Sequence, residues 1–414
     1  MALHDRIAAN KFLRSIAHFL MVFGPGWVTM EADNDFGAVS SYTQAGAQYG
    51  LHGLLWLLLI LLPITYICQE MVVRLGICTG KGYVVMIYKR FGKFWGNLSI
   101  VNLLVVNMLT LVTEFAGISL VMAQLGVSPY WSVPLVAVAL IILVLSSGYS
   151  RWERCMIVLC LLDVVWLLVA CLHRNCPGTP VIPGIPVNGT FLFMVIAVIG
   201  TTVAPWQLAF QQSAICNKKL RFKDLKLEQL DTFLGAVFTI IIAGAMMYMG
   251  RCVGGAYKDP GNMAHILGTR WGHNIGTLLL LMGCNAAILG TVAISLASAW
   301  AFGEIKGWPH SLQLSFKEAK GFYGIYSGCV LSAAGIVLIP HLPLQLVIVS
   351  VQVLAALILP SALIFLQLLL NDKTLMRDYR NSKLQSVIGW VVVGLLIGLS
   401  VLLILQPFLG AIHI

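Results

Sequence analysis

Residues 29–50 read TMEADNDFGAVSSYTQAGAQYG, and they interrupt an apolar segment that begins near residue 16. Three carboxylates, Glu31, Asp33 and Asp35, lie within five residues here, although only 10% of the chain is charged. A charge at membrane depth is costly and usually has a function. Together with Gly37, the polar cluster predicts a non-helical break whose backbone carbonyls are open to a ligand.

The composition predicts a membrane protein. The chain has 414 residues, of which 59% are hydrophobic, and a mean hydropathy of +0.89. Nearly charge-free windows of about 18 residues or more are typical of transmembrane helices. We therefore predict an all-α polytopic membrane protein with one transmembrane domain, residues 1–414, and no separate soluble domain. The predicted spans are about 16–49, 52–73, 96–125, 131–149, 153–172, 187–216, 228–250, 274–302, 319–339, 342–370 and 385–408.

The net charge of +10 is explained by topology. With the N-terminus inside, 22 of the 26 lysine and arginine residues fall on the inner side of the predicted spans. This bias indicates orientation in the membrane. We expect a multi-pass cell-membrane protein with a cytoplasmic N-terminus and an extracytoplasmic C-terminus. The lipid bilayer is its expected partner, with neither nucleic acid nor an obligatory protein partner, and the short loops favour a prokaryotic inner membrane.

The loop HRNCPGTPVIPGIPVNGT (173–190) divides the predicted spans into two halves, each of which opens with an interrupted span. In the second half the interruption is VIGTTVAPWQLAFQQSA (198–214), where Pro205 removes a backbone donor. Interrupted helices at corresponding positions indicate a transporter site. We predict two inverted five-helix repeats, at 16–172 and 187–370, followed by helix eleven at 385–408.

The polar residues at the two interruptions are the candidate ligands. Asp35 beside open carbonyls is a hard oxygen site suited to a divalent cation; the alternative is a helix cap. Glu31 lies on nearly the same helical face as Asp35, and Asp33 points away. Gln207 and Gln211 share a face and offer neutral oxygen, or else hydrogen-bond to another helix.

Two further sequence features have structural interpretations. Asp163 lies in the middle of a span, where we expect it to be paired within the bundle. The tetrapeptide Asp259-Pro260-Gly261-Asn262 follows a span on the outer side, and we expect it to form a turn.

Several motifs resemble the NRAMP metal-ion transporters, in the same order from about residue 24 to 380. They are GPGW (24–27) followed by Asp35 and Gly37, TQAGAQYG (43–50), QEMVVRLGICTGKG (69–82), VAPWQLAFQQSA (203–214) and LPSALIFLQLLLNDKTLM (359–376). The resemblance implies a leucine-transporter-like inverted-repeat fold and transport of divalent cations. It implies no cofactor, because Mg²⁺ or Mn²⁺ is the transported substrate, and no enzyme activity.

The departures from the family pattern concern the metal ligands. Ala38 stands where the family has an asparagine, Ala204 where it has a methionine, and Gln207 where it has an asparagine. A thioether favours transition metals, so its loss favours hard cations. Mg²⁺ keeps several of its waters, and small residues leave room for them. This pattern resembles the NRAMP-related magnesium transporters, and the expected metal site comprises Asp35, Ala204, Gln207, Asn34 and Gly37.

The same comparison bears on proton coupling. The two family histidines fall on Trp206 and Gln211, and histidine is the side chain best suited to exchange protons near neutral pH. Glu114 remains in LVTEFAG, as an ion-path residue or a buried structural pair, and Gln352 aligns with a family glutamine. The expected ion path or coupling residues are Glu31, Gln211, Glu114, Gln352, Ala38 and Trp206.

We therefore expect import of Mg²⁺, and of Mn²⁺, as a partly hydrated ion by alternating access, without proton coupling. One alternative is a proton-coupled Mn²⁺/Fe²⁺ transporter of the main NRAMP type. The other is an amino-acid symporter of the same fold.

Overall fold

The computed structural model describes residues 11–146, 148–176 and 188–410, and the regular structure within them is helical. Residue 187, the predicted start of the second repeat, lies outside the described residues, as does most of the loop before it. The helices are α1 Lys11–Val22, α2 Pro25–Glu31, α3 Phe36–Thr79, α4 Tyr83–Phe91, α5 Lys93–Gln124, α6 Pro129–Ser146, α7 Tyr149–Leu162, α8 Val164–Leu172, α9 Gly189–Thr202, α10 Pro205–Lys218, α11 Leu225–Val253, α12 Pro260–Trp271, α13 His273–Lys306, α14 Lys320–Val337, α15 Leu344–Asn371, α16 Lys373–Met376 and α17 Lys383–Gly410. Short 3₁₀ turns occur at Phe222–Asp224, Gly254–Ala256 and Arg377–Tyr379.

The first predicted span is divided into three helical pieces. It comprises α1, α2 and the beginning of α3, with Gly24 at φ 140° before α2 and non-helical backbone between α2 and α3. The second span continues in α3 after Gly50, where φ is 65° and ψ is 179°. Only glycine adopts such a backbone at no steric cost, so this residue separates spans one and two within a single 44-residue element.

The remaining predicted spans each correspond to helical segments. In the part of the chain that the structure describes, nine helical stretches are long and apolar enough to cross a membrane, of which Tyr149–Leu172 joins α7 with α8 and Gly189–Lys218 joins α9 with α10. One of them, Phe36–Thr79, contains parts of two predicted spans, and α14 corresponds to the ninth span. The predicted all-α architecture is confirmed.

The core of the bundle holds the two interrupted spans. Helix α11 packs along α3 and α2, α9 packs on α15, and α13 packs on α5. At the start of α2, the backbone N–H groups of Gly24 and Gly26 donate to Asp231 Oδ2 on α11, at 3.0 and 2.9 Å. This carboxylate therefore fixes the beginning of α2 to α11.

The fold corrects one of the two structural predictions and identifies the partner expected in the other. The turn expected at Asp259-Pro260-Gly261-Asn262 is the first turn of α12, in which Asp259 Oδ1 accepts from the Asn262 N–H at 2.8 Å. The prediction of a turn was wrong, because an aspartate followed by proline also starts a helix. Asp163 lies between α7 and α8, and its partner is the neutral Asn285 on α13, with Nδ2 at 2.9 Å from Asp163 Oδ1.

Candidate cation site

The break in the first span is capped by two carboxylates. Asp35 Oδ1 accepts from the Ala38 N–H at 2.9 Å, and Glu114 Oε2, reaching across from α5, accepts from the Phe36 N–H at 3.0 Å. Both acids are buried. The capping alternative for Asp35 is thus realised, and it occupies one oxygen of the carboxylate.

These caps leave backbone carbonyls open. In an α-helix each N–H donates to the carbonyl four residues earlier. Because the Phe36 and Ala38 N–H groups donate to side chains, the carbonyls of Ala32 and Asn34 have no helical donor. The break therefore presents hard carbonyl oxygens close to Asp35, as its sequence predicts.

The break in the sixth span is also capped by a side chain, but here the capping side chain is neutral. The Ala204 N–H donates to Gln207 Oε1 at 2.8 Å, and Pro205 has no N–H. The carbonyls of Gly200 and Thr201 therefore lose their helical donors. The oxygen of Gln207 is engaged by this cap, and its Nε2 has no hydrogen-bond partner.

The two breaks adjoin each other. Tyr42 on α3 hydrogen-bonds through its hydroxyl to Thr202 Oγ1, at the end of α9, at 2.8 Å. Gln352 on α15 lies against both breaks. A Cβ atom added to Gly37 would lie 1.9 Å from Gln352 Nε2, and one added to Gly200 would lie 1.9 Å from the Gln352 backbone oxygen. Gln352, which the family resemblance predicts as an ion-path residue, therefore packs between the two breaks, and its Nε2 has no hydrogen-bond partner.

A glycine on α13 brings the two capping carboxylates together. A Cβ on Gly290 would lie 2.8 Å from Asp35 Cβ and 2.8 Å from Glu114 Cδ. Sequence reasoning missed Gly290, as it missed Tyr42, because a glycine or tyrosine within an apolar helix carries no signal of the site. Only the packing of α13 against α3 and α5 identifies them.

Three predicted residues have side chains engaged by partners outside the two breaks. Gln211 donates through Nε2 to Thr232 Oγ1 on α11 at 2.7 Å, which is the interhelical bond considered as its alternative. Trp206 is buried and packs edge-on against Phe210, with ring centroids 6.3 Å apart. Glu31 accepts from Thr239 Oγ1 at 2.6 Å, also on α11.

Two of the buried polar atoms without hydrogen-bond partners belong to residues of the first break. Asp33 Oδ2 and Asn34 Oδ1 are buried and make no hydrogen bond. The Gln207 side chain lies beside the Asp33 carboxylate. Ala38 contributes its N–H and no polar side chain. Buried polar atoms are normally paired with protein, water or an ion, so these atoms are available to a bound species.

The donor set is unlike that of a preformed metal centre. Within residues 11–146, 148–176 and 188–410, no group of three or more His, Cys, Asp or Glu side chains could hold a metal ion. A cation at the breaks would be held by carboxylate and carbonyl oxygens together with its own waters. The carboxyl ends of α2 and α9 face the two breaks, and the negative end of a helix dipole favours a cation there.

Comparison with known proteins agrees with this architecture. The chain is 24% identical over 431 residues to a divalent metal cation transporter, MntH, of Staphylococcus aureus (strain bovine RF122 / ET3-1), covering 94% of this chain and 92% of the relative. It is also 24% identical to the MntH of Staphylococcus haemolyticus (strain JCSC1435), covering 98% of this chain and 96% of the relative.

Solved structures show the same fold. A crystal structure of the Eremococcus coleocola manganese transporter, in complex with an aromatic bis-isothiourea substituted compound, superposes with a TM-score of 0.76 at 16% identity, covering 96% of this chain and 87% of the other. A glutamate-to-glutamine variant of that transporter gives 0.76 at 17% identity, covering 94% and 88%. The leucine-transporter-like fold is confirmed.

The family model described as natural resistance-associated macrophage protein-like matches residues 26–406. That range includes both breaks and nearly all of the helices, and we conclude that the chain belongs to the Nramp family.

Proposed function

We propose that the protein imports Mg²⁺, and with it Mn²⁺, as a partly hydrated ion by alternating access and without obligatory proton coupling. The observation that carries this proposal is Ala204 at the second break. It is the N-cap of α10, at a position where a thioether would favour transition metals. The polar groups beside it are the open carbonyls of Gly200 and Thr201 and the amide of Gln207.

The geometry of the donors supports a hydrated ion. Asp35 supplies charge, and the carbonyls of Ala32 and Asn34 supply hard oxygens. Mg²⁺ prefers oxygen ligands and gives up its waters reluctantly. A site with few direct carboxylate ligands and two alanines, Ala38 and Ala204, suits an ion that retains part of its shell.

The absence of histidine near the breaks supports uncoupled transport. Among the described residues, the histidines lie at other positions, and none is at residues 32–38 or 200–207. Glu114 is engaged at both oxygens, by the Phe36 N–H and by Thr113 Oγ1 at 3.1 Å. A divalent ion crossing the membrane gains about 4.6 kcal/mol per 100 mV, which can concentrate it without protons.

The test is uptake into liposomes that contain the purified protein. We expect Mg²⁺ and Mn²⁺ to enter under an inside-negative potential and Fe²⁺ and Cd²⁺ to compete weakly. The Asp35→Ala variant serves as the transport-deficient control. A pH-sensitive dye inside the liposomes should stay constant during Mg²⁺ uptake, and acidification in proportion to uptake contradicts the uncoupled mechanism.

One observation favours a second candidate function. Asp35 and Glu114 meet at Gly290, and two neighbouring carboxylates can share a proton. The alternative is then a proton-coupled Mn²⁺/Fe²⁺ transporter, which predicts dye acidification and Fe²⁺ uptake in the same assay. An amino-acid symporter predicts uptake of a labelled amino acid instead of metal.

The topology is part of the same proposal. We assign residues 16–172 and 187–370 to two inverted five-helix repeats and 385–408 to helix eleven, because the breaks occur in the first helix of each half. The distribution of basic residues supports a cytoplasmic N-terminus and an extracytoplasmic C-terminus. Cysteine labelling of single-cysteine variants at Lys219 and Lys258 from either side tests this orientation.

A further inference from the structure

We propose that Cys176 and Cys252 form a disulfide bond at the outer face, which joins the end of the fifth span to the end of the seventh. Cys176 closes the turn that follows α8, and Cys252 lies in the last turn of α11. The pairing goes beyond the proposed function, because it uses none of the residues at the two breaks. It takes from that proposal only the orientation, with these two helix ends outside.

The two cysteines are in direct contact. The Cys176 thiol donates to the backbone oxygen of Cys252, with sulfur and oxygen 3.8 Å apart, although the residues are 76 positions apart in the sequence. The two side chains are also hydrogen-bonded to each other. Both residues are thiols in this structure. A disulfide forms only between side chains that already point at each other, and this contact meets that requirement.

Contacts other than those of the sulfur atoms hold the two segments together. The Cys176 N–H donates to the His173 backbone oxygen at 3.2 Å, and Tyr248 on α11 donates its hydroxyl to the same oxygen at 2.9 Å. The His173 ring stacks on Trp271 at the end of α12, with ring centroids 4.1 Å apart. The turn at 173–176 is therefore attached to both α11 and α12, so the fold itself brings the two thiols together.

The surroundings favour reaction at Cys176 first. Its side chain is partly exposed, whereas Cys252 has an exposed fraction of 2%. Arg270 on α12 donates through Nη1 to the Cys252 backbone oxygen at 2.6 Å, and this oxygen also accepts from the Cys176 thiol. The guanidinium therefore lies beside Cys176. A nearby positive charge favours the thiolate, which is the form that attacks a disulfide.

The bond forms by exchange with an external disulfide, which is the oxidant. The Cys176 thiolate attacks one sulfur of that disulfide, so that a mixed disulfide forms and one external thiol leaves. The Cys252 thiolate then attacks the Cys176 sulfur, and the second external thiol leaves. The two cysteines lose two protons and two electrons, and the external disulfide is reduced to two thiols.

The proposed orientation places this pair where such a bond persists. The fifth and seventh spans both run outward, so Cys176 and Cys252 lie on the extracytoplasmic side, which is oxidising. The bond would connect the two proposed repeats, because α8 belongs to 16–172 and α11 to 187–370. A crosslink between positions so far apart in sequence stabilises the fold by restricting the unfolded chain.

The test uses the full-length chain purified in detergent, reduced with dithiothreitol and then treated with oxidised glutathione. N-ethylmaleimide blocks the remaining thiols, and digestion with mass spectrometry locates each cysteine. We expect two peptides joined through Cys176 and Cys252, lighter by two hydrogen atoms than the reduced pair. The unfolding midpoint of the oxidised chain should lie several degrees above that of the reduced chain.

Cys171→Ser is the matched control. Cys171 is exposed in the last turn of α8, five positions before Cys176, and its substitution should leave both the crosslink and the rise in midpoint. Cys176→Ser should abolish both and leave Cys252 modified by the maleimide. Gel filtration identifies any variant that fails to fold. Because Cys176 is only partly buried, its variant remains a test even if Cys252→Ser does not fold.

Two results would overturn the pairing. One is the recovery of Cys176 and Cys252 as separate maleimide or glutathione adducts in the native chain. The other is a peptide in which Cys176 is joined to Cys171.

A second arm tests the side of the membrane. Oxidised glutathione, which does not cross the bilayer, is added to right-side-out vesicles that contain the protein. A crosslink in intact vesicles supports the outer position. A crosslink only after detergent is added keeps the pair but overturns its outer position, together with the proposed orientation. Loss of the proposed Mg²⁺ uptake, measured separately in liposomes, would leave the disulfide intact, so the two proposals fail independently.

Discussion

Both helix breaks are capped by side chains that bind backbone N–H groups, but the capping groups differ in charge. At the first break the carboxylates of Glu114 and Asp35 cap the N–H groups of Phe36 and Ala38, whereas at the second break the neutral amide of Gln207 caps the Ala204 N–H. Both caps free carbonyl oxygens for a ligand. The first break therefore contributes charge, and the second contributes neutral oxygens and space.

The largest expected effect comes from removing that charge. Asp35→Ala should lower Mg²⁺ uptake at subsaturating concentration about 100-fold, because contacts to a charged group contribute roughly 1.5–3 kcal/mol each. Initial rates in liposomes measure it. Asp259→Ala is the matched control, since Asp259 makes the same capping bond at α12 outside the breaks. That control should lose about 1 kcal/mol of stability and keep its uptake.

Retained Mg²⁺ uptake in a folded Asp35→Ala protein would remove Asp35 from the site. It would also mean that the difference in charge between the two breaks has no role in transport.

The second prediction changes the neutral break. Ala204→Met places a soft thioether at the start of α10, and we expect the ratio of Cd²⁺ to Mg²⁺ uptake to rise about tenfold, since sulfur ligands favour softer metals. Competition of Cd²⁺ against Mg²⁺ in liposomes provides the ratio. An unchanged ratio would show that residue 204 does not contact the ion.

The third prediction disturbs the meeting of the two carboxylates. Gly290→Ala places a methyl group 2.8 Å from Asp35 Cβ, and overpacking of this kind costs about 1–3 kcal/mol. We expect a lower unfolding midpoint and uptake reduced several-fold. Gly244→Ala is the control, because the nearest atom to its Cβ is Leu55 Cδ1 at 3.7 Å. Equal effects of the two substitutions would contradict a special role for Gly290.

The smallest expected effect concerns the cap of the second break. Gln207→Ala removes the bond to the Ala204 N–H and should cost about 1 kcal/mol of stability. Gln207→Glu keeps an acceptor there, adds a negative charge and should tighten Mg²⁺ binding several-fold. Thermal unfolding and isothermal titration check the two variants. Weaker binding in Gln207→Glu would show that the second break must stay neutral.

The sequence was sufficient for the helical architecture and for the positions of both breaks. Both predictions depend on local features of the sequence, namely long apolar windows, the acids at 31–35 and Pro205. Such features can be recognised without knowledge of the fold. The order of the spans and the family motifs then support the proposed topology.

The partners of the site residues could not be predicted in the same way. Gln207 and Gln211 share a helical face, yet one caps its own helix and the other donates to Thr232 on α11. Asp163 was expected to be paired, but the neutrality of Asn285 as its partner depends on which helix packs there. Such choices are made by tertiary contacts, which a helical period does not encode.

The attachment of α2 has a consequence for the speed of ion release. This helix has seven residues, all buried, and non-helical backbone flanks it at Gly24 and at the first break, so any movement of α2 would turn on these two points. Any such movement must break the two hydrogen bonds from Gly24 and Gly26 to Asp231. Bonds to a charged group contribute roughly 1.5–3 kcal/mol each, so the pair slows opening by about 10² to 10⁴. On the proposed function, we therefore expect Asp231 to slow any ion release that requires α2 to move.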